Sequence, residues 1–431
     1  MRRSCLRIGA AWLLLTLNLG GVEQVFAAAR PNIIFILADD LGLPGVSCYG
    51  GVYPTPNLDA LAAGGIRFEH CFASPLCAPS RALAMMGRYG FRTGVVDNPL
   101  GGRATPKREI CVAKVLKNAG YTTGIFGKWR QLAYFKTQAD AQAWGFDEFL
   151  LWGMGSGEGG DRYWGRDYNL NGTPLKVPPG TYGPDLLHRH LVDFIRRHRD
   201  EPFFIYYPMT FIHGPFKPTP DTPPGVKDRA RLYRDTIAYM DKLVGKLVAE
   251  LDALGLREKT LIVFTGDNGS VDPGTLHGRL VDGVKHELKE GGSRVPLIAQ
   301  WKGTTPAGRV LPDLIDFTDF YVTFAELAGA ELPSGHRLDG RSFAPQLRGE
   351  KGRPREWVFV QLADRWYVRD ARWKLYNDGT LCDMSDAPFS EKPLMAGEMT
   401  PEARAARKRL QAVLDQLNPG QLKAAPKFKH E

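Results

Sequence analysis

The sequence predicts an α/β fold in which helices sandwich a large mixed, mainly parallel sheet, followed by a smaller antiparallel α+β domain at the carboxyl end. Three observations lead to this prediction. Apolar segments of strand length alternate with helical segments between residues 32 and 301. The first strand segment, at 32–38, is a continuous apolar run, which is typical of a strand buried on both faces. Beyond residue 354 the segments become short, aromatic and β-branched, with turn residues between them.

The first 29 residues differ from the rest of the chain and predict a secretory signal peptide. Arg2, Arg3 and Arg7 precede the apolar run 8–19, and small residues near 25–29 offer a cleavage site. A membrane anchor is the weaker alternative, because the run is short for a bilayer and no second long apolar segment follows. We therefore expect an exported protein, periplasmic or secreted, without a stable membrane span.

The mature chain is expected to be basic and to favour anionic partners. The formal charge is +9, and +7 remains after the net +2 of residues 1–29 is removed. Lysine and arginine are scattered and accompany no nucleic-acid motif, so we expect no nucleic-acid partner. A solvated basic surface and steering of an anionic substrate both remain open. An odd number of cysteines follows the signal, which leaves at least one unpaired: Cys48, Cys71, Cys77, Cys111 and Cys382.

The alternation of elements defines the large domain, which we place at residues 30–348. Strands are predicted at 32–38, 121–126, 202–207, 260–264 and 295–301. Apolar residues recur every three or four positions in helices predicted at 57–63, 109–118, 186–199 and 232–254. Alternating strands and helices predict a mainly parallel, layered sheet.

A charged stretch with glycine and proline at 349–354 predicts a linker, so the smaller domain is placed at 349–431. Short strands are predicted at 357–362, 365–369 and 371–376. A helix beginning with proline and glutamate is predicted at 401–417.

Acidic side chains follow two of the predicted strands. Asp39 and Asp40 come directly after the first strand, and Asp267 and Asn268 follow the strand at 260–264. Ligands of open α/β sheets bind at the carboxyl ends of strands, where these oxygens would suit Ca²⁺ or Mg²⁺ better than Zn²⁺. Each pair taken singly is more often a turn or helix cap, but their joint placement indicates a metal site.

The segment Cys77-Ala78-Pro79-Ser80-Arg81 carries the clearest motif. Pro79 suits a first helical turn, which would place Cys77 near the positive end of that helix. With this motif the chain resembles the type I, formylglycine-dependent sulfatases of the alkaline-phosphatase-like superfamily. Matches to that family run in its order from about residue 30 to 390: RPNII (30–34), ADDLG (38–42), TPNLD (55–59), GKW (127–129), GFD (145–147), HGPF (213–216), DNG (267–269), EGGSRVP (290–296) and DGRS (339–342).

The resemblance implies a nucleophile and a metal site. A formylglycine-installing enzyme would oxidise Cys77 to formylglycine, whose hydrated form offers a hydroxyl as the nucleophile. The family's Ca²⁺ ligands fall on Asp39, Asp40, Asp267 and Asn268, with the modified Cys77 completing the shell; Mg²⁺ is less favoured. The ion would lower the pKa of the hydroxyl and neutralise sulfate oxygens. The implied activity is hydrolysis of sulfate monoesters.

The resemblance also implies the residues that handle the substrate. Arg81 would hold and polarise the nucleophile, and Lys128 and Lys285 would bind the sulfate. His213 would contact the sulfate and protonate the leaving oxygen. Taken alone, these would be surface lysines and a packed histidine; the surrounding motifs favour the functional interpretation.

The chain departs from the family pattern at two places. Arg130 stands where sulfatases commonly have a histidine that assists breakdown of the sulfated nucleophile. Arginine keeps its proton, so it stabilises negative charge but cannot act as a base; His277 or His286 would have to replace that function. Met85 and Met86 replace the usual Leu-Thr, which would weaken recognition by the modifying enzyme.

Two alternatives and the substrate stay open at this point. One alternative is a phosphate or phosphonate ester hydrolase of the same superfamily; the other is a catalytically silent protein that binds sulfated glycans. For the substrate, we favour a glycan sulfate ester over a small aryl sulfate. Seven aromatic residues are candidates for stacking on sugar rings: Trp144, Trp152, Tyr163, Trp164, Trp366, Tyr367 and Trp373.

Overall fold

The structure is a computed structural model that describes residues 30–129, 132, 136–153, 161–165 and 167–422. The expected signal peptide and Arg130 lie outside these described residues. The strands are β1 (Asn32–Ala38), β2 (Ile66–Phe72), β3 (Thr122–Gly127), β4 (Glu148–Trp152), β5 (Tyr168–Leu170), β6 (Thr173–Leu175), β7 (Phe203–Pro208), β8 (Thr260–Gly266), β9 (Thr275–Leu276), β10 (Arg279–Leu280), β11 (Arg294–Trp301), β12 (Arg309–Asp316), β13 (Val358–Leu362), β14 (Arg365–Arg369), β15 (Trp373–Tyr376), β16 (Leu381–Asp383) and β17 (Lys392–Pro393). The helices are α1 (Pro56–Ala63), α2 (Cys77–Met86), α3 (Gly90–Thr93), α4 (Val112–Asn118), α5 (Gln138–Trp144), α6 (Gly183–Arg197), α7 (Arg229–Ala253), α8 (Glu290–Ser293), α9 (Asp319–Leu327), α10 (Ala344–Leu347) and α11 (Pro401–Leu417).

The main sheet of the described residues has ten strands in the order β12-β2-β11-β8-β1-β7-β3-β4-β5-β6. Strands β8, β1, β7, β3 and β4 are mutually parallel, and Ile34 of β1 lies beside Ile205 on one side and Ile262 on the other. Strand β11 runs antiparallel to both of its neighbours, and β5 and β6 are antiparallel as well. The predicted large, mixed, mainly parallel sheet is therefore confirmed.

The core lies on both faces of this sheet, which explains the continuously apolar strands. Ile33, Phe35 and Leu37 of β1 point into a cluster that contains α2, α4 and α9. Ile34 and Ile36 point the other way, into a cluster that contains α1, α6 and α7. Because successive strand side chains face opposite sides, a strand covered on both faces is apolar at most of its positions.

The carboxyl end forms a second sheet, β13-β14-β15-β16-β17, in which all neighbours are antiparallel. Helix α11 buries Leu410 and Leu414 against it. This confirms the predicted antiparallel α+β unit. Its residues Phe359 and Trp373 belong to the same apolar cluster as the main sheet. The boundary between residues 348 and 349 stays a prediction.

The expected absence of a membrane span and the state of the cysteines can be compared with the structure. No helix among the described residues is long and apolar enough to cross a membrane. Within the same residues the five cysteines are all free thiols, and four of them are buried while Cys48 is partly exposed.

Candidate active site

The site lies at the carboxyl ends of the four central parallel strands. Asp39 and Asp40 follow β1, and the N–H of Asp267, which follows β8, donates to the carbonyl of Ala38 at 2.9 Å. Lys128 follows β3 directly, and the loop after β7 carries His213. The topology thus brings together side chains that lie more than 200 residues apart in the sequence.

Cys77 is the first residue of α2 and points into the acidic group. Its Sγ lies 3.4 Å from Asp39 Oδ1 and 3.7 Å from Asp40 Oδ1. One ligand atom from each of Cys77, Asp39, Asp40 and Asp267 lies within 4.8 Å of all the others, and the four residues are buried. Four possible ligands at such spacing form a cage that matches the size of a metal site.

Asp40 adopts a left-handed backbone conformation, with a φ of 65°. Aspartate tolerates this conformation better than most residues, at a modest cost in energy. Its N–H donates to Asp267 Oδ1 at 3.0 Å, so the turn after β1 is fixed to the turn after β8. This turn lets two consecutive aspartates contribute to one site.

Asn268 completes the oxygen-rich group. Its Nδ2 donates to Asp40 Oδ1 at 2.9 Å and to the carbonyl of Gly269 at 2.9 Å. Its Oδ1 is buried and has no hydrogen-bond partner. A buried acceptor without a partner is costly, and a hard cation is a partner that also suits the three carboxylates. The residues present therefore fit Ca²⁺ or Mg²⁺.

Three predicted cations meet these acids. Arg81, one helical turn after Cys77, places Nε 3.0 Å and Nη2 2.8 Å from Asp267 Oδ2. Lys128 Nζ lies 2.8 and 2.6 Å from the two oxygens of Asp39. Lys285 Nζ lies 2.6 Å from Asp40 Oδ1. All three cations are nearly inaccessible to solvent, so their charges are held in a low-dielectric setting.

Arg162 is a fourth cation of the site, and the sequence reasoning missed it. Its Nη1 lies 2.7 Å from Asp39 Oδ2 and 3.2 Å from the carbonyl of Thr210. The guanidinium stacks over the ring of Trp152 at 4.9 Å. No motif surrounds Arg162 in the sequence, so nothing marked it out from the other arginines.

His213 presents one ring nitrogen to the site. Its Nδ1 donates to the carbonyl of Gly214 at 2.6 Å, which leaves Nε2 to face Asp40 Oδ2 at 3.7 Å. The Tyr163 hydroxyl donates to the His213 carbonyl at 2.8 Å and steadies this loop. Burial lowers the pKa of His213, although the negative charge of Asp39 acts to raise it.

The pKa shifts follow from burial and from these charges. Burial alone would raise the pKa of Asp39, but Lys128, Arg81 and Arg162 overcome it and hold the pKa well below its usual range. Burial raises the pKa of Asp267 to about 6 despite Arg81. Burial, with Asp267 beside it, raises the pKa of the Cys77 thiol. An unmodified Cys77 is therefore a protonated thiol and a weak nucleophile.

The remaining residues named from the sequence are Arg130, His277 and His286. Arg130 is outside the described residues. His277 donates its backbone N–H to the carbonyl of Gly50, and His286 is exposed. In the described part of the chain no hydrogen bond or ion pair joins either imidazole ring to the acidic group. The interpretation of these two histidines as substitutes for a catalytic base finds no support in the geometry.

Anions are the natural ligands of this edge of the sheet. A helix amino terminus, four cations and a group of carboxylate and amide oxygens converge where an open α/β sheet binds its ligands. Cys77 Sγ points into this group. This combination defines the class: a hydrolase of anionic esters with the alkaline-phosphatase-like fold.

Comparison with known proteins gives the family. The sulfatase family model matches residues 31–330. Arylsulfatase A of Homo sapiens is 31% identical over 91% of this chain and 89% of that protein, and arylsulfatase A of Bos taurus is 34% identical over 81% and 74%. The chain belongs to the sulfatase family and is a sulfuric ester hydrolase.

Solved structures agree with this assignment. Ps i-CgsB superimposes with a TM-score of 0.78 at 26% identity, covering 93% of this chain and 95% of that one. A second structure of the same protein contains k-i-k-neocarrahexaose. A phosphonate monoester hydrolase of Agrobacterium radiobacter, with a TM-score of 0.64 and 21% identity, shares the fold alone.

Proposed function

We propose that Cys77, converted to formylglycine, is the nucleophile with which this chain hydrolyses sulfate esters. One observation carries the proposal: Cys77 Sγ lies at the amino terminus of α2, within hydrogen-bond distance of two of three clustered carboxylates. A hydrated aldehyde at this position offers a hydroxyl where the thiol now points. The family's motif around Cys77 supports the modification, which a formylglycine-installing enzyme would have to make.

The proposed metal is Ca²⁺, held by Asp39, Asp40, Asp267 and Asn268 together with the modified residue 77. The unpartnered Asn268 Oδ1 and the three carboxylates support this choice. Ca²⁺ accepts many oxygen ligands in irregular geometry, whereas Mg²⁺ demands a near-ideal octahedron. When bound, the ion would supply positive charge to the nucleophile hydroxyl and to the sulfate oxygens.

The protein's own side chains would do the rest of the chemistry. Arg81, fixed by Asp267, would hold the nucleophile hydroxyl. Lys128 and Lys285 would bind the sulfate oxygens and offset the charge that builds up during displacement. His213, in its doubly protonated form, would present Nε2–H to the leaving oxygen and deliver that proton there. Arg130, in place of the family's histidine, would contribute charge only.

The proposed substrate is a sulfated carbohydrate that the exported protein meets outside the cytoplasm. The basic chain and the fold shared with Ps i-CgsB, whose complex contains k-i-k-neocarrahexaose, support it. Four of the seven aromatic platforms suggested by the sequence do not, because Trp144, Tyr163, Tyr367 and Trp373 are at most 4% exposed, whereas Trp164 and Trp366 are partly exposed. Those four rings belong to the core, as buried aromatic residues usually do.

Matched esters test the activity. A sugar, or an aryl group, is offered with either a sulfate or a phosphate on the same hydroxyl, and kcat/KM is compared for protein made in a host that installs formylglycine. We expect sulfate to be preferred and the sugar sulfates to be turned over. A large preference for phosphate would overturn the proposal. Turnover confined to aryl sulfates would overturn the carbohydrate assignment alone.

A further inference from the structure

Residues 285–293, which we name the Lys285 strip, contact the segments that carry Asp40, Cys77 and Asp267. Lys285 Nζ reaches Asp40, and its N–H donates to the carbonyl of Ser270 at 2.9 Å. The N–H of His286 donates to the carbonyl of Pro75 at 3.0 Å, two residues before Cys77. The position of Lys285 therefore depends on how the whole strip is held.

The strip is also tightly fitted against the loop that carries Asp267 and Asn268. The N–H of Gly269 donates to the carbonyl of Gly292 at 2.9 Å. A Cβ on Gly269 would lie 1.7 Å from the carbonyl oxygen of Gly291, so only glycine permits this approach. His286 has a φ of 74°, a strained conformation that persists only where the surroundings enforce it.

The contacts that hold the Lys285 strip in this conformation come from the carboxyl-terminal sheet. Lys374 of β15 is fully buried, and its Nζ donates to the carbonyl of Leu288 in the strip at 2.6 Å. The same Nζ lies 2.6 Å from Glu391 Oε1 and 4.0 Å from the ring centroid of Tyr367. A buried ammonium held by an acid and an aromatic ring has little freedom to move, so the Leu288 carbonyl is held by a fixed donor.

Two further contacts fasten the end of the strip to the same sheet. Arg369 of β14 pairs with Glu290 at 2.5 Å, and both side chains are fully buried. The Ser293 and Tyr367 hydroxyls lie 2.8 Å apart. The strip is thus held from one side by the carboxyl-terminal sheet, and it holds the site on the other.

We propose that Lys374 is a positioning residue, which fixes the Lys285 strip through the Leu288 carbonyl so that Lys285 meets the substrate sulfate. The proposal rests on the proposed function only for the role of Lys285. Without the Lys374 donor, Leu288 loses its partner and the strained strip can relax. Displacement of a binding group by about 1 Å is enough to slow turnover substantially.

Hydrogen exchange tests the structural half without any assay of activity. Lys374→Met is compared with Lys374→Arg and with Arg355→Met. Arg355 is a matched control, because it also lies beyond residue 349 and pairs with a buried acid, Asp319, at 2.5 Å. We expect exchange in the Lys285 strip to rise on the order of tenfold in Lys374→Met, but not in the other two variants. Equal protection of the strip in all three variants would overturn the proposal.

If Lys374→Met does not fold, Tyr367→Phe replaces it, since this change removes only the hydroxyl beside Ser293. The expected result is faster exchange at the end of the strip, relative to Arg355→Met. Unchanged exchange there would count against the carboxyl-terminal sheet as the support of the strip.

A double-mutant cycle tests the functional half. We expect Lys374→Met to lower kcat/KM for a sulfate ester about tenfold in the otherwise native protein, and much less in a Lys285→Ala background. Lys374→Arg should recover most of the loss. Equal losses in both backgrounds would show that Lys374 does not act through Lys285. Absence of turnover in the native protein would instead contradict the proposed function. The hydrogen-exchange result would then still decide whether Lys374 fixes the Lys285 strip.

Discussion

Asp39 faces three cations at once: Lys128, Arg81 and Arg162 lie 2.6, 3.5 and 2.7 Å from its oxygens. With Lys285 beside Asp40, four permanent cations oppose three carboxylates in the site. A buried charge that loses its partner costs several kcal/mol, so these side chains depend on one another. The surplus of positive charge is what an anionic ester would meet.

Arg162 is expected to contribute to turnover although no motif contains it. Arg162→Met removes a cation that contacts Asp39, so we expect kcat/KM for a sulfate ester to fall about tenfold or more. Steady-state kinetics measure the effect. Arg196→Met is the control, because Arg196 pairs with Glu250 and is largely exposed. Equal activity of Arg162→Met and the control would contradict this role.

Arg130 gives a prediction of the opposite sign. Arg130→His restores the residue that sulfatases commonly have, and a histidine can exchange protons near neutral pH where arginine cannot. We expect kcat to rise and to acquire a pH dependence near the pKa of histidine. Rates measured between about pH 5 and 8 test this. An unchanged or lower rate would mean that this chain uses Arg130 in another way.

Motif and strand position together identified most of the site from the sequence. Asp39, Asp267 and Cys77 were found because strand ends and a helix start place them at one edge. Arg162 was missed because it enters from the chain between β4 and β5, and its approach to Asp39 depends on packing against Trp152. Such a contact leaves no spacing pattern in the sequence.

Among the elements, buried strands were predictable and strands nearer the sheet edge were not. Strand β1 was predicted at its observed bounds, and β7 and β8 within two residues. Strand β12 was missed because Pro312 and Asp313 interrupt it; it lies at the edge of the sheet and is half exposed. Edge strands accept proline and charge because one side makes no ladder bonds.

Strand direction was a second limit. The segment at 295–301 is mainly apolar, as β1 is, but β11 runs antiparallel to β8 and β2. A strand buried on both faces shows the same apolar run in either direction, so the pattern does not reveal whether the strand is parallel or antiparallel to its neighbours. Only the path of the chain between β8 and β11 decides it.

Glu290 of α8 is predicted to stabilise the folded protein in a pH-dependent way. Burial opposes its charge, but Arg369 prevails and lowers the pKa of Glu290 to about 2. Because this pKa is lower in the folded chain, the stabilisation is complete above the ordinary pKa and is lost as pH falls towards 2. Glu290→Gln should cost about 3 kcal/mol in the free energy of unfolding at neutral pH.

Denaturant unfolding of both proteins at several pH values measures this difference. The difference in the free energy of unfolding between native protein and Glu290→Gln should become smaller as the pH falls from about 5 to about 3. If this difference in free energy stays constant down to the lowest pH at which both proteins fold, the ion pair is not what causes it.

At the scale of the whole molecule, the two sheets share one apolar cluster, since Phe359 and Trp373 belong to the same group of buried residues as Phe35 of β1. Together with the Arg369 and Glu290 pair, this cluster couples the carboxyl-terminal sheet to the site. Two units were predicted because the pattern of strands and helices changes near residue 349. The sequence did not reveal their shared core, because helical and strand periodicity describe each element separately.

Metal binding should stabilise the whole fold. An ion that binds only the folded chain raises the free energy of unfolding by about 2.7 kcal/mol at a hundred times its Kd. We expect Ca²⁺ to raise Tm in a concentration-dependent way and Mg²⁺ to raise it less. Asn268→Ala, which removes the unpartnered Oδ1 without changing charge, should weaken the response. Equal responses of the native and variant proteins would exclude Asn268 as a ligand.

The mass of the proteolytic peptide that spans Cys77 tests the central claim most directly. Protein from a host that installs formylglycine should yield the aldehyde form of residue 77, and its fraction should scale with sulfate ester turnover. Cys77→Ala should fold normally and have no turnover. Full activity in protein whose Cys77 remains an ordinary thiol would contradict the account.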